Sequence, residues 1–118
     1  MSASDTNCIF CKLVGGEIPA TVVHRDDRVI AVVDVNPQAP VHLLVLPLEH
    51  HGTLGELIAA GRTDVALALL RTATALGDER GGPAGFRLVV NTGADGGQTV
   101  GHVHVHVLAG RPMHWPPG

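Results

Sequence analysis

Near the C-terminal end of the chain, residues 102–106 read His-Val-His-Val-His, and Val107 continues the alternation. Successive side chains in a β-strand point to opposite faces of the sheet. The pattern therefore predicts a strand with three imidazoles on one face and the valines on the other. Neighbouring imidazoles would lie about 6.6–6.8 Å apart along the strand. Three histidines are an unusual choice for a merely solvated face, where threonine, lysine or serine would serve.

Two kinds of chemistry fit three imidazoles on one face. Imidazole is a common zinc ligand, and alternate strand positions can converge on one ion. Alternatively, one imidazole is a nucleophile, and its neighbours orient it or bind negative charge. The preceding loop, residues 93–99, contains three glycines, Gln98 and Thr99. Because glycine lets successive backbone N–H groups point at one ligand oxygen, this loop favours a phosphate-like anion beside the imidazoles.

The rest of the chain predicts an α+β domain. Short apolar or β-branched runs predict five strands, at residues 21–24, 28–34, 41–46, 86–91 and 101–108. Residues 53–80 instead follow a helical period, with a start near Thr63 and a stop at Gly77 or at 81–83. The turns between most strands are too short for parallel crossovers. We therefore expect a mainly antiparallel sheet with one long helix packed on a face.

Composition narrows the possible partners. The chain has 118 residues, eight Lys and Arg against eleven Asp and Glu, and a net charge of −3. This length favours one domain, residues 1–118, and the charge excludes the basic surface that a nucleic-acid polymer or an anionic membrane requires. Residues 1–7 are polar and expected to be flexible, with no signal peptide. No apolar run approaches the roughly 20 residues of a membrane span.

Two cysteines, Cys8 and Cys11, stand three residues apart. Without a secretory or membrane segment, the expected location is the cytoplasm, where thiols stay reduced. At this spacing in a reducing compartment, the pair indicates metal ligands or a redox couple before a structural disulfide.

In the order of its motifs, the chain resembles the histidine triad (HIT) superfamily. The matching segments are residues 8–12, 17–20, 37–42, 96–100 and 102–106, together with Asp34 and Asn91. The ending, residues 110–118, is similar to the nucleotide-binding HINT branch. The resemblance implies an α+β fold with a five-stranded antiparallel sheet, one long helix and one short helix per subunit. It also implies a homodimer with a continuous ten-stranded sheet, in which the tail, residues 109–118, reaches the partner subunit's active site.

The activity that the resemblance implies is hydrolysis of the P–N bond in purine nucleoside 5′-phosphoramidates, including lysyl-AMP adducts. His104 would attack phosphorus and form a nucleotidyl-histidine intermediate. His106 would contact the phosphate or the leaving group, and His42 would extend the same network. Thr99 would donate a hydrogen bond to the departing amine. Two alternatives remain, a dinucleoside polyphosphate hydrolase and a nucleotide-binding interaction protein with little turnover.

The resemblance also implies a nucleotide site. Asn91, Gly97 and Gln98 would stabilise charge on the phosphoryl oxygens, Asp34 would accept from the ribose hydroxyls, and Val100 belongs to the same site. Apolar side chains would enclose the purine, namely Ile9, Phe10, Leu13, Ile18, Val32, Val35 and Leu44.

A structural zinc site is the second implied feature. The resemblance points to Cys8, Cys11, His50 and His102 as its four ligands, with His51 as the alternative to His50. No cofactor would be needed for catalysis. If His102 binds zinc, His104 and His106 are left for the reaction. His24 receives no role.

Overall fold

Five strands form one antiparallel sheet in the computed structural model, which describes residues 7–118. The strands are β1 (Val22–Arg25), β2 (Val29–Val33), β3 (Val41–Pro47), β4 (Phe86–Val89) and β5 (Val105–Ala109). Their order in the sheet is β1-β2-β3-β5-β4, so β3 lies at the centre between β2 and β5, and β1 and β4 lie at the edges. This arrangement confirms the expected α+β class and the antiparallel sheet. Apart from Asn7, the N-terminal segment expected to be flexible lies outside the described residues.

Within residues 7–118, three α-helices accompany the sheet, α1 (Ile9–Val14), α2 (Leu54–Ala59) and α3 (Thr63–Gly81). The expectation of a single short helix is therefore wrong, because α1 and α2 are both short. Gly61 separates α2 from α3 with a φ of +78°, a left-handed conformation that favours glycine. None of the described helices combines the length and the apolar character that a membrane span requires.

The main core lies between α3 and one face of the sheet. Val65, Leu69 and Ala73, spaced by four residues, are buried on one side of α3, as the helical period predicts. They pack in one cluster with the valines of the alternating segment, Val103, Val105 and Val107. The histidines between those valines therefore face the opposite side of the sheet, where α1 packs.

Strand β5 begins at Val105 rather than at residue 101. Its register against β3 pairs Val45 with Val105, so two residues further on Pro47 would stand opposite Val103. Proline has no N–H to donate to the ladder, and regular pairing ends there. The N–H of Val103 instead donates to the carbonyl of His51 at 2.8 Å. The side-chain alternation nevertheless continues through residues 102–104 outside the strand.

Gly77, one of the two predicted stops, does not end α3. The helix continues to Gly81, and Gly77 lies inside it, buried against the ring of Phe86. Glycine is present here because a larger side chain would collide with that ring, and not because the helix ends. A Cβ at this position would lie 2.6 Å from Phe86 Cε2.

We expect Gly77→Ala to lower the free energy of unfolding by about 1–2 kcal/mol, because overpacking outweighs the gain in helix propensity. Gly55→Ala is the matched control, since its Cβ would meet nothing closer than 3.8 Å on an exposed part of α2. Urea denaturation of both variants measures the difference. Equal stability of the two variants would contradict the packing assigned to Gly77.

Candidate active site and metal centre

A cavity of about 260 Å³ opens between α1, the end of β2 and the histidine segment. Most residues expected to hold a nucleotide line it. They are Ile9, Phe10, Leu13, Ile18, Val32, Asp34, Val35, Leu44, Thr99, Val100, His104 and His106. Three further lining residues, Pro19, Ala20 and Val33, were not expected from the sequence. The cavity thus brings an apolar wall and two of the three triad imidazoles together.

Asn91, Gly97 and Gln98 do not line this cavity. Asn91 Nδ2 donates to Gly96 O at 2.7 Å, and the backbone N–H of Gly97 donates to Ala94 O at 3.0 Å. The side-chain Nε2 of Gln98 donates to Gly52 O at 2.7 Å. These groups hold the glycine loop in shape and already have partners within the protein.

The ring of His104 has one defined tautomer. Its Nδ1 lies 2.8 Å from the carbonyl oxygen of His102, which can only accept a hydrogen bond. Nδ1 therefore carries the proton of the neutral ring, and Nε2 carries a lone pair. The side chain is buried, and its ring meets Phe10 edge to face with 5.1 Å between centroids. A buried imidazole held in this way has a lone pair that can act as a nucleophile.

A second chain of hydrogen bonds sets the tautomer of His106. The backbone N–H of Gln38 donates to His42 Nδ1 at 3.0 Å, so His42 carries its proton on Nε2. That Nε2 lies 2.9 Å from His106 Nδ1, which accepts. The remaining proton of neutral His106 is therefore on Nε2. Of the two imidazoles that line the cavity, His104 therefore has a lone pair on Nε2 and His106 has an N–H on Nε2.

Asp34 joins the histidine network at the cavity wall. Its Oδ2 lies 3.3 Å from His42 Nε2, and its Oδ1 accepts from the N–H of Asn36 at 2.8 Å. Asp34, His42 and His106 are close enough to form a three-ligand metal cluster. However, the proton between the two imidazoles occupies the position that a metal would need. The arrangement favours a proton-bearing network over a second metal site.

The environment of His106 keeps its ring neutral. Burial, together with the nearby His104 and His42, lowers the pKa of His106 from 6.5 to about 4. Asp34 opposes this shift more weakly. A neutral ring is the form that the hydrogen-bonded chain from Gln38 requires.

This shift predicts an acid-sensitive fold. Between pH 6.5 and pH 4 the unfolded chain binds a proton at His106 that the folded protein does not, so the free energy of unfolding falls as the pH falls. The loss from this group between pH 7 and pH 5 is up to about 2 kcal/mol. Urea denaturation at both pH values should show a smaller loss for His106→Gln than for the wild type. Equal losses would contradict the neutral state assigned to His106.

The two cysteines meet two histidines, His50 and His102, that do not line the cavity. Cys8 Sγ lies 3.3 Å and Cys11 Sγ 3.6 Å from His102 Nδ1, and Cys11 Sγ lies 3.3 Å from His50 Nδ1. His102 is fully buried, and its Nε2 lies 3.0 Å from the carbonyl oxygen of Pro47. That carbonyl fixes the proton on Nε2, which leaves the Nδ1 lone pair directed at the thiols.

The donor set fits a tetrahedral zinc ion. Zn–S bonds of about 2.3 Å and Zn–N bonds of about 2.0–2.1 Å at a tetrahedral angle place sulfur and nitrogen about 3.5 Å apart. The three observed separations are 3.3, 3.3 and 3.6 Å, and all four ligand atoms lie within 4.8 Å of one another. His50, rather than His51, belongs to this cluster, because His51 Nε2 lies 3.0 Å from Glu49. His24 instead pairs with Asp26 at 2.8 Å on the surface.

Three backbone groups with a part in the site gave no signal in the sequence. The N–H of Gln38 sets the tautomer of His42, and the carbonyls of Pro47 and His102 set those of His102 and His104. A proline-flanked turn at residues 36–40 predicts a break in the strand, but it does not identify which N–H turns towards a ring.

The known sequences that resemble this chain point to one protein family. The model of the HIT domain matches residues 15–113. A protein of Arabidopsis thaliana named adenylylsulfatase HINT1 is 46% identical over 116 residues, which cover 98% of this chain and 79% of that protein. A 14 kDa zinc-binding protein of Brassica juncea is 46% identical over 111 residues, 93% of this chain and 98% of that one.

Solved structures agree with the sequences. A HIT family hydrolase from Legionella pneumophila superposes with a TM-score of 0.86 at 46% identity, over 95% of this chain and 100% of that one. A histidine triad protein from Clostridium difficile gives a TM-score of 0.87 at 42% identity, over 94% and 96% of the two chains. With its triad at residues 102–106 and a family match over most of its length, the chain belongs to the HIT family and to its HINT-like branch.

Proposed function

We propose that the protein hydrolyses the P–N bond of purine nucleoside 5′-phosphoramidates through a nucleotidyl intermediate on His104. One observation carries this proposal. The carbonyl of His102 holds the Nδ1 proton of His104, so the lone pair on Nε2 belongs to a residue that lines the nucleotide-sized cavity. A neutral imidazole in this state needs no separate base to become a nucleophile.

The reaction follows in two displacements. Nε2 of His104 forms a bond to the α-phosphorus, and the P–N bond breaks with its electron pair leaving on nitrogen, which takes up a proton from solvent water. The Nδ1–H of the resulting imidazolium continues to donate to the His102 carbonyl. Water then attacks phosphorus and releases one proton to solvent, the P–Nε2 bond breaks with its electron pair returning to Nε2, and a nucleoside monophosphate leaves. His106 Nε2–H donates to a phosphoryl oxygen, and Thr99 donates to the departing amine.

The cavity walls support a purine nucleoside as the group transferred. Ile9, Phe10 and Leu44 present apolar surface that suits a base, and Asp34 offers carboxylate oxygens for ribose hydroxyls. The phosphate would then lie at the opposite end, between Thr99 and the imidazoles.

The names of the relatives favour hydrolysis and add a second candidate substrate. The Legionella protein is called a hydrolase, and the Arabidopsis relative is called an adenylylsulfatase. Cleavage of adenylyl sulfate uses the same attack on an adenylyl phosphorus, with sulfate as the leaving group.

The test is a panel of substrates that share the adenosine 5′-phosphoryl group. The panel contains adenosine 5′-phosphoramidate, a lysyl-AMP adduct, adenylyl sulfate and a diadenosine polyphosphate. We expect kcat/KM to be highest for a P–N substrate. Faster cleavage of the polyphosphate would establish the dinucleoside alternative, and binding without turnover of any compound would establish a nucleotide-binding interaction protein.

The proposal includes a structural zinc ion held by Cys8, Cys11, His50 and His102. The separations of the donor atoms and the tautomer of His102 support it, as does the zinc-binding name of the Brassica relative. With four protein ligands the site is closed, so its metal stabilises the fold and takes no part in the reaction.

The proposed assembly is a homodimer that pairs β4 with its counterpart to make a ten-stranded sheet. In the described part of the chain β4 lies at the edge of the sheet, with β5 on its other side, and an uncovered strand edge is suited to such pairing. Trp115 in the tail is 85% exposed in the single chain, which supports a partner contact for residues 109–118. Sedimentation measurements at micromolar protein distinguish dimer from monomer.

A further inference from the structure

The turn that follows β3 is hydrogen-bonded to two segments of the proposed active site, the histidine segment and the glycine loop. The N–H of Val103, between His102 and His104, donates to the carbonyl of His51 at 2.8 Å. The next carbonyl, that of Gly52, accepts from Gln98 Nε2 at 2.7 Å, immediately before Thr99. The position of residues 51–52 therefore sets the position of the nucleophile's segment and of the glycine loop.

Side chains around this turn fix it to the start of α3. His51 is buried, and its Nε2 lies 3.0 Å from Glu49 Oε1, which can only accept. Arg62 Nε donates to the same oxygen. Arg62 is the residue that precedes α3, and its Nη1 lies 3.4 Å from Asp64 in the first turn. One carboxylate oxygen thus joins the turn to the helix that carries the main core.

None of these three side chains lines the cavity, so none would touch a substrate there. Glu49 and Arg62 are only partly exposed at 27% and 41%, and His51 is nearly inaccessible at 3%. Charge-assisted bonds to a shared carboxylate are stronger and better oriented than neutral bonds. The arrangement restrains a backbone carbonyl rather than supplying a reacting group.

We propose that His51, Glu49 and Arg62 form a positioning bridge that aims His104 at the substrate phosphorus. The bridge acts through the His51 carbonyl, which accepts from the N–H of Val103. Val103 lies between His102, whose carbonyl accepts from Nδ1 of His104, and His104 itself. This inference rests on the proposed function of His104. Loss of the bridge should affect the chemical step and not nucleotide binding, because the bridge contacts the triad segment and the glycine loop but not the apolar wall of the cavity.

The test compares Glu49→Ala and Arg62→Ala with two controls. Glu49→Gln keeps an oxygen that accepts from His51 and Arg62, and Glu79→Ala breaks an exposed ion pair near the other end of α3. For both alanine variants we expect kcat on adenosine 5′-phosphoramidate to fall about 10- to 100-fold, the cost of a misplaced catalytic group. KM and the Kd for AMP should stay within about twofold, and Glu49→Gln should recover most of kcat.

Hydrogen exchange of the Val103 amide gives a readout that does not depend on turnover. We expect it to accelerate about tenfold or more in Glu49→Ala, with zinc content and the exchange of core amides in β3 unchanged. Unchanged kcat and unchanged Val103 exchange would overturn the bridge. A parallel rise in KM and Kd, with no recovery in Glu49→Gln, would also overturn it by showing a general structural role. If the wild type cleaves no compound in the panel, the proposed function fails, and Val103 exchange alone decides whether the bridge exists.

Discussion

His104→Ala is expected to lower kcat for adenosine 5′-phosphoramidate by about 10⁴-fold or more, because it removes the atom that bonds to phosphorus. AMP should still bind, since the apolar wall and Asp34 remain. The measurements are steady-state hydrolysis and equilibrium binding of AMP on the same preparations. Loss of turnover with retained binding separates a missing nucleophile from a missing pocket.

Two further variants serve as controls for this result. His104→Gln preserves more of the volume packed against Phe10 and should be equally inactive, which excludes a cavity as the cause. His24→Ala changes a surface histidine that pairs with Asp26 and should be as active as the wild type. A His104→Ala protein with more than a few per cent of wild-type activity would contradict the assignment.

Removal of the proposed zinc is expected to give the largest change in stability. A metal that binds only the folded protein at a thousand times its Kd contributes about 4 kcal/mol. For a domain of this size, the corresponding loss in Tm is roughly 10 °C or more. Calorimetry before and after chelation measures it, and Cys11→Ser should reproduce the loss without chelator.

The matched comparison is the same chelation applied to Cys8→Ser/Cys11→Ser, whose Tm should not change further. Elemental analysis should find one zinc per chain in the wild type and in His24→Ala, and little in the double variant. Protein purified without added metal that contains no zinc and keeps its Tm in chelator would contradict the site.

The face of the sheet on which the histidines lie was predictable because it depends only on backbone geometry. Alternation with period two places Val103, Val105 and Val107 together wherever the backbone is extended. It therefore held for residues 102–104, although they lie outside the ladder. The start of β5 was not predictable in the same way, since it depends on Pro47 in a different strand.

Long-range packing explains the wrong prediction of a helix end at Gly77, and shortness explains why α1 was not predicted. Gly77 predicted a helix end because glycine is a common terminator, but the ring of Phe86 makes glycine necessary inside α3. Helix α1 has only six residues, too few for a periodic pattern to reveal it.

Within the site, the family resemblance implied which side chains gather but not their protonation. Most residues proposed for the nucleotide line one cavity, and His50 rather than His51 approaches the cysteines. The tautomers of His104 and His102 depend on two backbone carbonyls, and that of His42 on a backbone N–H. Every residue but proline carries both groups, so residue identity contains no signal for them.

Rapid-quench mass spectrometry tests the central claim most directly. Excess protein is mixed with adenosine 5′-phosphoramidate, stopped within milliseconds under alkaline denaturing conditions that preserve phosphohistidine, and digested. We predict a transient adenylyl adduct on His104, which forms and decays at rates consistent with kcat. Turnover without any adduct, or with the adduct on another residue, would contradict nucleophilic catalysis by His104.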